Sequence, residues 1–270
     1  MGKKENHKRD LLALINTYIE KGDEKPLINY FVLNSNLPSR RANLEMAAAF
    51  VEVIEESYLN NLDEIWNFCI KAIGISEDKA PTNNPMEIVP FCGSWGIGLI
   101  GSISESYFQE AVLLLREGAN DPRWRIREAV AFGIQKILER RSQVMLQELS
   151  GWVDQDNWLE MRAIAAGVAH PKILAEYENA NSALELHKSI FGKIKTANDR
   201  RSEDFKTLRK GLGYTLSVVV SNIPDEGFQE MKELIKTQDH DLLWIIKNNL
   251  KKKRLTDTFP SEVKVLNKLL

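Results

Sequence analysis

Apolar residues recur at intervals of three and four along nearly the whole chain, and that regularity limits what it can fold into. Leu11, Leu12, Ile15 and Ile19 set the pattern, Phe50, Val53 and Ile54 continue it, and Ile126, Val130, Ile134 and Ile137 repeat it. Such spacing gathers side chains on one face of an α-helix, whereas a half-buried strand needs strict alternation. Alternation is nearly absent, and the one β-like run, Ser217 to Val220, lies inside a longer helical frame. An all-α protein is expected.

Breakers cut this pattern into helices of ordinary length: Gly22, Pro38, the cluster Ser76 to Pro85, Gly118 to Pro122, Gly151 to Asn157, Pro171, Pro224 and Pro260. Roughly 12 to 14 helices fit, or six to seven pairs. Asp121 followed by Pro122 reads as an N-cap with proline in the first helical position. Residues 76–85 are expected to form a mobile loop.

Three segments, Asp121 to Arg127, Asp156 to Arg162 and Asp241 to Lys247, each place an acid six residues before a base at the head of an apolar helix. Trp124, Trp158 and Trp244 lie 34 and 86 residues apart, and 86 is two units of 43, a length typical of helical-pair repeats. The intervening unit would centre near Phe205. On a helical wheel the three indoles share a face about a third of a turn from the core stripe. With these features the chain resembles the HEAT-repeat family, armadillo-like arrays of helix pairs. The resemblance implies a right-handed α-solenoid of about six to seven HEAT-like pairs, one domain over 1–270, with irregular capping repeats near 1–35 and 255–270. It also implies an acid and base ladder that ties neighbouring repeats together.

The composition bounds the function. With 270 residues, 43% of them apolar, the chain can bury a large core. Lys+Arg 36 against Asp+Glu 38 leaves a formal charge of -2, so any basic function must be local. Cys69 and Cys92 fit no zinc spacing and are expected to be reduced and buried. His7, His170, His187 and His240 show no i, i+4 metal pair, so neither a metal nor a cofactor is expected. MGKKENHKRD leads into an amphipathic pattern, not an apolar export core. Ile88 to Gly101 is 14 residues long, contains Pro90, and falls short of the roughly 20 that a membrane span needs. A soluble, cytoplasmic protein that does not engage membranes is expected.

"GIGLIG", Gly96 to Gly101, matches a dinucleotide fingerprint in letters only, because no strand precedes it and no βαβ unit surrounds it. Small residues that let two helices touch explain it better. The sharper signal is Arg123, Trp124, Arg125 and Arg127, then Trp158 and Arg162, then Trp244, Lys247 and the run Lys251, Lys252, Lys253, Arg254. In a solenoid, residues repeated at one phase of successive inner helices line a concave stripe. Aromatics interleaved with bases suit phosphates and unstacked bases. The competing account has tryptophan filling grooves between repeats and Arg127 and Arg162 committed to the acid ladder, with Arg123, Arg125 and the lysine run less easily used internally. The resulting expectation is a non-catalytic interaction scaffold whose partner is a protein or a nucleic acid.

"DNWLEMRAIAAG", Asp156 to Gly167, also resembles a segment of the AlkD-type alkylpurine DNA glycosylases, themselves built of HEAT-like repeats. That resemblance implies that Trp158 and Arg162 face DNA. The family's aspartate one turn after a preceding tryptophan is unmatched: Trp124 is followed at that distance by Glu128. Under this alternative Glu128 would be the catalytic carboxylate.

Overall fold

The computed structural model describes residues 2–270. Fourteen α-helices and one 3-10 turn account for the regular structure, with no strand among the described residues. The chain, read from its sequence as one domain, divides into two compact units, Met1–Ile137 and Leu138–Leu270.

In the first unit, α1 (Lys3–Lys21) packs on α3 (Leu44–Ser57), α2 (Lys25–Leu33) packs on α1, and α4 (Leu62–Ile73) and α6 (Glu105–Gly118) flank α5 (Ile88–Ile103). Local chemistry sets the ends. Gly22 adopts the left-handed conformation (φ 70°) and its N–H returns to Tyr18, closing α1. The Asn43 side chain accepts the Met46 N–H at the head of α3. Phe31, Phe50 and Phe68 form an aromatic cluster with centroids 5.0–6.1 Å apart.

Helix α5 is the hub, buried along almost its entire length. Pro90 does not end it, because proline in the first turn removes an N–H that has no intrahelical acceptor. With the 3-10 turn Pro85–Glu87 in front, the stretch Pro85–Ile103 is 19 residues long, five more than the apolar run read from sequence. It is long and apolar enough to cross a membrane, yet 83% of its 18-residue apolar window is buried inside the protein. The glycines of "GIGLIG" do what was expected of them: a Cβ on Gly98 would stand 2.2 Å from the Gly133 Cα, so α5 meets α7 (Trp124–Val153) backbone to backbone.

Helix α7 begins two residues later than expected. Asp121 and Pro122 are not its cap and first residue; Arg123 supplies the first helical carbonyl, and Asp121 accepts the Arg123 N–H instead. The helix runs past Gly151 but breaks at Arg141, whose φ of −133° and ψ of 44° are not helical.

In the second unit, α8 (Trp158–Val168), α10 (Glu203–Val220) and α12 (His240–Asn249) lie side by side and run the same way. Their neighbours advance together: Trp158 meets Phe205 and Arg162 meets Gly211, while Asp241, Trp244 and Asn249 meet Arg209, Gly213 and Ser217. Helix α9 (Tyr177–Thr196) packs on α8 and α10, and α11 (Pro224–Lys236) packs on α10 and α12. Buried Asn249 ties α12 to α10, accepting the Ser217 N–H and donating to the Leu212 carbonyl. The short α13 (Lys253–Thr256) and α14 (Pro260–Asn267) complete the unit.

Candidate functional site

The residues singled out in the sequence divide between the units, and each unit treats them differently. In the first, Arg123 and Arg125 were expected on a partner-facing surface, but both are 2% exposed. Arg123 grips both carboxylate oxygens of Asp121 at 2.9 and 2.6 Å and donates to the carbonyls of Ile75 and Ala80. Arg125 donates to Glu87 at 3.0 Å, to Asn83 at 2.9 Å, and to the carbonyls of Ser39 and Arg40. A desolvated guanidinium is tolerable only when nearly every donor has an acceptor: Arg123 is held by neighbouring Asp121 and two distant carbonyls, and Arg125 places both terminal nitrogens on distant loops while its buried Nε has no partner. The segment 76–85, expected to be mobile, is pinned at Ala80 and Asn83 by the same pair.

Trp124 is the member of this cluster that reaches solvent, at 42% exposed, with its ring 4.3 Å from the Arg125 guanidinium carbon. Glu128, half-buried one turn later, lies on the same stripe of α7 as Phe132, which stacks on Trp95 at 4.7 Å. Arg127 turns back onto the carbonyls of Asp121 and Pro122.

In the second unit one face of the α8, α10 and α12 layer carries several aromatic and basic groups. Lys206, Lys210 and Tyr214 are exposed at successive turns of α10 and form its outward ridge. Gly211 and Gly213 flank this ridge, and their missing side chains leave room for neighbours. Arg162 of α8 lies over Gly211, and the half-buried indole of Trp244 lies over Gly213. Arg209 stacks on Trp244 at 4.8 Å and pairs with Asp241 at 2.6 Å. At the far end Tyr214 is 48% exposed; Arg254 donates to its hydroxyl at 2.8 Å, and Lys252 stands 5.5 Å from its ring centre. Lys247, Lys251 and Lys253 are exposed nearby.

The acids of this layer sit at its helix heads. Arg200 pairs with Asp239 at 2.6 Å and reaches Asp241 at 3.4 Å. Burial works most strongly against both charges, but their mutual hydrogen bond together with charge attraction and the further bonds from the Leu242 and Asp241 N–H groups and to Asp241 outweighs it: Asp239 is held below the usual carboxylate range and Arg200 above its own. Asp241 thus links α12 to Arg209 of α10, an acid-to-base tie between adjacent helices.

No family model matches this chain, and no curated protein or solved structure matches it significantly. The reading of the site rests on its own geometry.

The tryptophan register read from sequence is offset. Asn157 caps α8 and Asp239 caps α12, so Trp158 is the first residue of its helix and Trp244 the fifth. Four residues at 1.5 Å each separate the two levels by about 6 Å. Arg162, not Trp158, occupies the level of Trp244. Trp158 packs edge-on against buried Phe205 and remains half-buried. Sequence reasoning missed Lys206, Arg209, Lys210 and Tyr214, because α10 carries no tryptophan to key on. Exposed positions at intervals of four on α10 were the available signal. Among the described residues no group of three or more His, Cys, Asp or Glu side chains is placed to hold a metal.

Proposed function

We propose that the protein is a non-catalytic binding module, that its second unit is built of HEAT-like helix pairs, and that it engages nucleic acid through the α8, α10 and α12 face. Tyr214, bracketed by Lys252 and Arg254 on the same ridge as Lys206 and Lys210, is the observation that carries this reading. Phosphates are drawn to bases clustered on one surface even in a protein of net negative charge, since screening confines each charge to about 10 Å at 0.1 M salt. The parallel run of α8, α10 and α12, with α9 and α11 against them, supports the repeat assignment.

The test is polymer binding as a function of salt. Single- and double-stranded DNA and single-stranded RNA are titrated at 50 mM salt and again at 200 mM, with the wild type and with Lys251, Lys252, Lys253 and Arg254 all changed to Ala. At least one polymer is expected to bind at low salt, to weaken steeply at the higher salt, and to lose most affinity in the variant. Absence of binding at 50 mM salt to both DNA forms and to single-stranded RNA overturns the reading and leaves a protein partner as the alternative.

A second reading, an alkylpurine DNA glycosylase resembling the AlkD type, draws on the exposed Trp124 ring and the Glu128 carboxylate one turn along α7. It requires release of free purine from alkylated DNA and loss of that release in Glu128→Gln. A wild type that leaves such DNA intact removes it.

A further inference from the structure

We infer that the polymer taken by the second unit is a single strand, read by stacking of an unpaired base on Tyr214 while Lys252, Arg254 and Lys210 hold the flanking phosphates. The inference rests on the nucleic-acid reading above and names the form of the ligand. A duplex offers its phosphates to a basic surface but keeps its base faces stacked inward, so an aromatic platform beside the bases gains nothing from it. An unpaired strand offers both.

Three features of Tyr214 fit the second case. Nearly half of its surface is open, although it sits on a helix whose following residues, Thr215 to Val220, are all buried. Its hydroxyl is held by the Arg254 guanidinium, whose carbon stands 4.8 Å from the ring centre, so the ring has a fixed orientation before any ligand arrives. The Lys252 ammonium and the Arg254 guanidinium lie over the ring, 5.5 and 4.8 Å from its centre, and exposed Lys210 lies one turn back on α10, so cations for phosphate adjoin the ring. Alternation of a π-face with bases is the arrangement by which single strands are bound with little regard for sequence. Trp244, half-buried against Gly213 beside Tyr214, is a second aromatic surface on the same side of α10.

The experiment uses the full chain and fluorescence anisotropy with three labelled probes: a twelve-residue oligothymidylate, the corresponding oligouridylate, and a 12-base-pair duplex. The single strands are expected to bind at least tenfold more tightly than the duplex, and comparison of the first two separates DNA from RNA as the preferred strand. Tyr214→Leu is expected to lose roughly 5- to 150-fold in single-strand affinity, the span of one stacked base, while the dependence on salt stays the same. Tyr214→Phe keeps the ring and is expected to stay within threefold of wild type. Replacing Lys252 and Arg254 by Ala is expected to flatten the salt slope by about 1.4, from 0.7 per phosphate contact on a single strand. Duplex binding as tight as single-strand binding, or a Tyr214→Leu protein that binds single strands normally, overturns this inference and leaves the broader function standing. Failure of all three probes to bind at low salt removes both.

Discussion

Arg125 and Arg254 are the same residue type used in opposite ways, and the contrast extends to the units that hold them. The first unit draws two guanidinium groups, those of Arg123 and Arg125, inward. They bond to Asp121, Glu87, Asn83 and four loop carbonyls, and the surface retains an indole above them. The second unit buries no lysine or arginine. Its most buried polar groups, His187, Ser217 and Asn249, are neutral and partnered, while Lys210, Lys247 and Lys251 to Arg254 stand at or near the surface. The role of a base is therefore decided by whether acceptors from other elements reach it, and its neighbours in sequence do not reveal that.

The largest expected effect tests the inward half. Arg125→Ala leaves the Glu87 carboxylate, 0% exposed, without its charge partner. Breaking a buried pair from one side costs about 3–5 kcal/mol. Urea unfolding should show a loss of that order. A loss below about 1 kcal/mol would mean that Arg125 does not hold the loops together, and the comparison between the units would fail.

Next comes the neutral polar group of the second unit. His187 makes its hydrogen bonds within the unit: its Nδ1 faces the accepting Ala183 carbonyl at 2.8 Å and its Nε2 the Thr215 hydroxyl at 3.0 Å. Burial pushes its pKa down from 6.5 to about 4, the Ala183 carbonyl opposing only in part. The folded state thus disfavours the proton that the unfolded chain takes up. Its stability is complete above about pH 6.5 and falls as the pH drops towards 4, by about 3 kcal/mol at 1.36 kcal/mol per unit. His187→Gln should flatten this part of the pH profile. If wild type and variant lose stability in parallel between pH 6.5 and 4, His187 is not the group responsible.

The glycines give a third, smaller contrast. Gly98→Ala thrusts a methyl to 2.2 Å from the Gly133 backbone and should cost about 1–3 kcal/mol by forcing α5 and α7 apart. Gly211→Ala meets only the flexible Arg162 side chain at 3.4 Å, so the helical preference for alanine should leave it neutral or stabilised by up to about 1 kcal/mol. Equal destabilisation by the two variants, measured by thermal melting, would show that the room at Gly211 is as fixed as that at Gly98.

These contrasts mark what the sequence could and could not carry. The helices were legible because the three-and-four spacing is the direct imprint of a buried face, and the close helix approach at Gly98 followed from the small residues of Gly96 to Gly101. The break at Arg141 carried no signal, since neither proline nor glycine stands there. The burial of Arg123 and Arg125 was hidden for a different reason: their acceptors at Ser39, Ile75, Ala80 and Glu87 lie 38 to 86 positions away and become neighbours only after folding. Trp244, Arg162 and the lysine run were found by repetition, but the ridge between them was not. Lys206, Lys210 and Tyr214 share no residue type with the repeats on either side, and what places them in line is the geometry of α10.

The smallest expected change in stability is also the sharpest test of the outward half. Lys252 and Arg254 contact Tyr214 across solvent, and their removal leaves no buried acceptor behind. Exposed contacts of this kind contribute little to folding, so Lys252→Ala with Arg254→Ala should leave the urea midpoint within about 0.5 kcal/mol of wild type. The same protein should bind oligothymidylate far more weakly. Arg125→Ala, assayed well below its melting point, should leave that binding close to normal, because its target lies in the other compact unit. If the Lys252 and Arg254 variant is instead the one that unfolds, these bases belong to the core of the second unit after all, and the division of labour between inward and outward arginines disappears.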